Sequence, residues 1–430
     1  MRPPPNKIRL SSTTWWYGIT RLRYLIVLLL VVMNGCNTPS EQSPPTLNWY
    51  VFNEPSGAFQ SAARRCSKSS LGAYKIQLVP LPADADQQRE QLVRRLAARD
   101  GAIDIIGMDV IWTAEFAQAG WILPWTGEAA EQAKAGRIGA TVQSATYQDK
   151  LWAAPFTTNT QLLWYRNDRV EKPPQTWNEI IHTAESLGKV GTIEAQGERY
   201  EGFTVFFISL LASAGGSVLD TSGTKVSLAR KPTLLALSTM ARFANSPAAD
   251  PALATEREDQ ARLAFESGDA SFMLNYTFVW PSAKQNAPDV AAHMGWARWP
   301  SVIKGTPSHV TIGGINLGVS TYSQHPHLAF RAAACMASES NQRLAAELGG
   351  LPPTMAALYD DPKVRKTFPF ANLLRSTLRD AVQRPQTPLY NDVSLAITRT
   401  LHPMRDIDPE RDLLRLRNAV SRALHSEGLL

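Results

Sequence analysis

Cysteine is scarce, at three among 430 residues, and histidine nearly so, at seven. The cysteines make no zinc spacing and the histidines no metal-ligand pattern; His325 and His327 read as surface loop residues. No metal and no cofactor is therefore expected. There is no Walker-type glycine-rich loop for a nucleotide's phosphates, and no G-x-S-x-G elbow to present a serine nucleophile. Paired carboxylates for sugar hydrolysis would have to hide among 38 acids with no local signature. An enzyme has little to stand on. Internal repeats are missing, and so is low complexity beyond one short tether.

The apolar run from Tyr24 to Met33 is too short to hold in a bilayer as a stable span. Arg2, Lys7, Arg9, Arg21 and Arg23 precede it, and it ends at Asn34, Gly35 and Cys36. This is the layout of a secretory signal. The cysteine after Gly35 points to a bacterial lipoprotein, in which the sulfur is lipidated and becomes the new N-terminus. Met33 stands where such sites usually carry Leu, and a plain cleaved signal is the alternative. Residues 1–35 read as the signal peptide and the Ser/Pro-rich 36–45 as a flexible tether.

The excess of basic charge is confined to that signal. The chain has 44 Lys and Arg against 38 Asp and Glu; without the five basic residues named above, 39 remain and the formal charge falls from +6 to +1. The basic balance is no argument for a nucleic-acid partner.

Apolar content of 44% and this length suit two or three domains with large cores. Leu47–Phe52, Tyr74–Leu81 and Ala102–Met108 read as strands. Ala58–Cys66 and Gln87–Arg99 read as helices between them. That alternation implies parallel pairing with right-handed crossovers. Asp109 falls just past the carboxyl end of the third strand, where open α/β sheets gather ligands. Thr157 to Gln161 reads as a polar loop between apolar runs, followed by a buried strand at Leu162–Tyr165. Helices are expected at 177–187, 202–213, 232–244, 261–266 and 326–336, a strand at 270–275, and a helical tail from Pro362. Val310–Ser320 reads as one β stretch with Gly313 and Gly314 at its centre, where backbone approaches closely. Cys66 and Cys335 are left as either a disulfide or two buried thiols. Twelve tryptophans are many. Most will pack, but a few aromatic rings, with Tyr276, suit the C–H faces of sugars, whose hydroxyls need planar donors and acceptors.

Several stretches resemble one family: Asp109 to Phe116 (DVIWTAEF), Gly120 to Trp125 (GWILPW), Ala154 to Arg166 (APFTTNTQLLWYR), Ala261 to Glu266 (ARLAFE), Thr311 to Leu317 (TIGGINL) and Arg384 to Tyr390 (RPQTPLY). They are similar to the extracellular solute-binding proteins of ABC sugar importers, of the maltose-binding type, and within these to trehalose-binding lipoproteins. The resemblance spans essentially the whole mature chain. It implies an α/β, two-lobe periplasmic-binding-protein fold with a hinge crossed several times and a ligand cleft between lobes. Lobe 1 would hold residues 46–158 and 312–353, and lobe 2 residues 159–311 and 354–430. It implies a monomer, lipid-anchored outside the cytoplasmic membrane, that passes trehalose or a related disaccharide to a permease with a cytoplasmic ATPase.

By the same resemblance, Asp109 would accept two sugar hydroxyls, Asn159 and Glu258 would be further polar contacts, and Arg384 a basic one. Gly314 would offer backbone. Tyr276 stands where relatives carry Trp and would stack on the sugar. Asn53 and Glu54, after the first strand, are weaker candidates, and Trp112 is as suited to packing as to stacking. Cys66 and Cys335 would both fall in lobe 1, which favours the disulfide.

Overall fold

The computed structural model describes Met1 and residues 43–82 and 84–426. The signal segment, Cys36 and most of the tether lie outside the described residues. Among those described, no helix is long and apolar enough to cross a membrane.

The first lobe grows from strand β1 (Thr46–Phe52). Leu47, Trp49, Tyr50 and Val51 are all buried, so the in–out alternation of a half-exposed strand is lost and both faces are covered. β2 (Lys75–Leu81) and β3 (Ile105–Asp109) pair with it in parallel. Helices Ala58–Ser69 and Ala85–Ala97 make the crossovers. Gly107 lets β3 lie close beside β1: a Cβ there would come within 2.5 Å of Val51 Cγ2. A short hairpin, β4 (Thr146–Tyr147) and β5 (Lys150–Leu151), leads to β6 (Ala153–Asn159).

The chain then passes to a second sheet, made of β7 (Leu162–Arg166), β8 (Thr192–Glu194), β9 (Ala270–Asn275) and β10 (Met294–Ala297), in the order β10-β7-β9-β8. It returns through β11 (Gly313–Val319), which lies antiparallel between β3 and β6. The first sheet is thus ordered β2-β1-β3-β11-β6. Trp177, Phe206, Phe243 and Trp299 meet at the centre of the second lobe. Helix Glu201–Ser213 is buried on nearly every side, as a central helix must be, and helices Tyr390–Leu401 and Pro409–Leu424 complete that core.

Two details differ from the sequence expectation. Thr157, Thr158 and Asn159 are strand, not loop. Their backbone pairs with Ile315, Gly314 and Gly313, and threonine's branched side chain suits a strand. Only Thr160 and Gln161 separate the two sheets. The expected strand at 310–320 starts later, at Gly313, because residues 310–312 bond instead to Val382. The glycine pair therefore stands at a crossing between lobes, not mid-strand. Cys66 and Cys335 are joined by a disulfide between helices Ala58–Ser69 and Pro326–Met336, closing a sequence separation of 269.

Candidate functional site

A cavity of about 300 Å³ lies where the two sheets face each other. Lobe 1 contributes Phe52 at the end of β1, Asp109 at the end of β3, and Thr157 and Thr158 in β6, whose last residue, Asn159, stands where the chain leaves the first sheet. Lobe 2 contributes Tyr200 and Glu201 at the start of a helix, Glu258 at the start of another, and Tyr276 just past β9. Gly313 and Gly314 line the crossing itself. Gly314 has φ +131°, and a Cβ on it would sit 2.2 Å from the Thr157 carbonyl oxygen. No other residue fits that backbone and that space.

Arg384 sets the charge of the floor. Its side chain is 5% exposed. Nη2 donates to Asp109 Oδ1 at 3.0 Å and Nη1 to Glu201 Oε1 at 2.8 Å. One guanidinium thereby joins an acid of each lobe. Burial alone would lower the Arg384 pKa, but the charges of Asp109, Tyr390 and Glu201 outweigh it and hold the cation above its ordinary value. Burial raises the Glu201 carboxyl, against the pull of Arg384. Tyr390 and Ser394 hydroxyls also donate to Glu201.

Three buried polar atoms at this cavity have no hydrogen-bond partner: Asn159 Oδ1, Tyr200 Oη and Arg384 Nε. Burial raises the carboxyl of Glu258 and the hydroxyls of Tyr200 and Tyr276. Unpaired buried groups are costly, and a native site that keeps them together is one a polar ligand completes. Phe52, Tyr200, Tyr276 and Phe278 supply aromatic surface around the same space.

At the rim, Asp84 caps helix Ala85–Ala97 in lobe 1. Its other oxygen accepts from Arg257 Nη1 of lobe 2 at 2.8 Å. Arg257 also grips Glu198 with two hydrogen bonds of 2.7 Å, and its guanidinium lies 4.6 Å above the Tyr200 ring.

Asp109, Asn159, Glu258, Tyr276, Gly314 and Arg384 all line the cavity. Asp109 is the last residue of β3, not one past it, and its carboxylate also caps the turn Val110–Trp112. Three candidates are elsewhere. Trp112 is 2% exposed and stacks on Phe116, so it is a packing residue. Asn53 is exposed and does not reach the cavity. Glu54 is buried, but its carboxylate accepts from the Ser56 and Ala58 amides and the Ser56 hydroxyl, so it starts a helix. Sequence reasoning missed Gln88, Tyr200, Glu201 and Phe278, all at the cavity. The only hint was an acid at the head of an unusually apolar helix.

Residues 72–343 match the model of the bacterial extracellular solute-binding protein family. A probable ABC transporter-binding protein of Deinococcus radiodurans is 30% identical over 345 residues, covering 76% of this chain and 81% of that relative. The maltose-bound structure of T. maritima MalE3 is 26% identical, with a TM-score of 0.79 over 87% of this chain and 98% of that one. The GacH receptor of Streptomyces glaucescens, solved unliganded and with acarbose, shares the fold: TM-score 0.78 at 20% identity, over 90% and 100% of the two chains. The fold is the two-lobe α/β architecture of periplasmic binding proteins of the maltose-binding type, and its relatives are carriers and not enzymes. The chain belongs to the bacterial extracellular solute-binding protein family, the substrate-binding components of ABC sugar importers.

Proposed function

We propose that the chain captures an uncharged α-linked glucose disaccharide, trehalose first, and hands it to a membrane permease. The observation that carries this reading is the set of unpaired atoms, Asn159 Oδ1, Tyr200 Oη and Arg384 Nε, beside Asp109 and Glu258. Hydroxyls donate and accept at once, so a sugar satisfies acceptors and donors on opposite walls. Tyr276 and Phe278 give its C–H face a ring to rest on. The motifs that resemble those of trehalose-binding lipoproteins favour an α-linked glucose disaccharide, and Tyr276 in place of Trp leaves room for a shift among them. A glycerophosphodiester fits less well, because its charge would meet Asp109, Glu201 and Glu258 while Arg384, the arginine in the cavity lining, is already held by two carboxylates. Maltose is the second reading, favoured by the ligand of MalE3.

In this reading residues 46–158 with 312–353 and 159–311 with 354–430 are the lobes that close on the sugar, and Cys36 carries the lipid anchor. Calorimetric titration of the chain from Pro45 onward, with trehalose, maltose and sucrose, tests the cargo. Saturable binding of trehalose alone supports it; binding only of another sugar reassigns it. Labelling of expressing cells with an alkyne fatty acid tests the anchor, which Cys36→Ala must abolish.

A further inference from the structure

A second group of acids in the second lobe lies outside the residues that line the cavity. Glu194 ends β8, Asp250 precedes the turn Leu253–Thr255, and Glu256 follows that turn. Each brings a carboxylate oxygen within 4.8 Å of the other two. Among the described residues, none of the three is in an ion pair with Lys, Arg or His. Crowded acids alone mark nothing. The separate observation is that Glu194 and Glu256 are 2% and 4% exposed, and Oε2 of each has no hydrogen-bond donor. Two buried carboxyl oxygens in one small space lack the donor or cation that buried carboxyl groups otherwise find.

We propose that Glu194, Asp250 and Glu256 bind a calcium ion that braces the cleft wall of the second lobe. Only oxygen ligands are offered, with no imidazole or thiolate, which selects a hard cation. Calcium accepts irregular carboxylate sets completed by water, whereas magnesium demands a near-ideal octahedron. Asp250 is only half-buried, so the ion keeps a route to water. The mechanical consequence follows from the chain. The Glu256 carbonyl accepts from the amides of Gly197 and Glu198 at 3.0 and 3.1 Å. Three residues on from Gly197 stands Tyr200, and next to Glu256 are Arg257 and Glu258. One ion would thus fix both segments that carry the rim arginine and the lobe 2 acids. The rival arrangement is a proton shared between Glu194 and Glu256, since burial raises both carboxyls.

The test uses the mature chain, stripped with chelator and dialysed. Calcium chloride is titrated calorimetrically, and thermal unfolding is followed with calcium, with magnesium and with neither. The expected result is one saturable site at roughly 0.1–1 mM, the range of extracellular calcium modules. Tm should rise by about 2 °C at about 10 mM calcium. Glu256→Gln should lose the heat and the rise. Asp250→Asn, at the least buried position, should weaken binding at least tenfold with an unchanged circular dichroism spectrum. No saturable heat and no calcium-dependent Tm overturns the proposal. An equal response to magnesium overturns the assignment to calcium. A Glu256→Gln protein that gains Tm without any ion identifies the shared proton instead. None of these readouts depends on which sugar the cleft takes.

Discussion

Two sets of acids invite comparison, one at the cleft between the lobes and one within the second lobe, and only the first has a cation of its own. Asp109 and Glu201 share Arg384, and each bond is between 2.8 and 3.0 Å. Glu194, Asp250 and Glu256 have no ion pair among the described residues, although Asp250 Oδ1 accepts from the Ala252 amide at 2.6 Å. The first set therefore has one cation for two acids, and Asp109, Glu201 and Arg384 all line the cavity. The second is outside the cavity lining and has no cation among the described residues. A binding surface for a neutral sugar suits the first arrangement: acids that accept hydrogen bonds while a fixed guanidinium keeps other cations from taking the ligand's place.

Removing the compensating cation breaks this contrast most severely. Arg384→Met would leave Asp109 and Glu201 as uncompensated acids in a buried floor. It should destabilise the protein by about 3–5 kcal/mol and abolish sugar binding, read by chemical denaturation and calorimetry. Asp109→Asn leaves Glu201 paired but removes a charged acceptor. Stability should change little, while affinity falls by about 10- to 100-fold, in line with roughly 1.5–3 kcal/mol for a charged hydrogen bond. Tyr276→Ala deletes stacking area without touching charge and should cost about 1 kcal/mol of affinity; Tyr276→Trp should retain or improve it. The smallest effect belongs to the rim. Asp84 and Arg257 are partly exposed, so Asp84→Asn should cost under about 1 kcal/mol, and that loss should shrink further in high salt. A rim effect as large as that of Arg384→Met would mean that the lobes are held by their edges and not by the floor.

Much of this was legible before any coordinates. Alternating apolar runs marked β1 to β3 and their two helices, because burial on both faces leaves a plain signal. The motifs point to Asp109, Asn159, Glu258, Tyr276, Gly314 and Arg384, and all six line the cavity. Tyr200 and Glu201 were not, since Glu201 meets Arg384 across 183 residues of chain and no local spacing reports that approach. Trp112 misled for a physical reason: a tryptophan three residues beyond a site acid looks alike in a core and in a cleft, and only Phe116 beneath it decides. Glu54 misled likewise, as a carboxylate that caps a helix and one that binds a sugar are the same residue type in the same kind of loop. Thr157 to Asn159 read as loop because their side chains are polar, yet their backbone is paired strand.

The most direct test of the central claim is calorimetric titration of the mature chain with trehalose, for wild type and Asn159→Ala. Asn159 lines the cavity, and its Oδ1 is buried and unpaired there. One saturable site in the wild type, with trehalose affinity lowered at least tenfold in Asn159→Ala at unchanged Tm, is the predicted result. Equal affinity in both proteins, or no heat from trehalose, maltose or any other neutral sugar, would contradict the account.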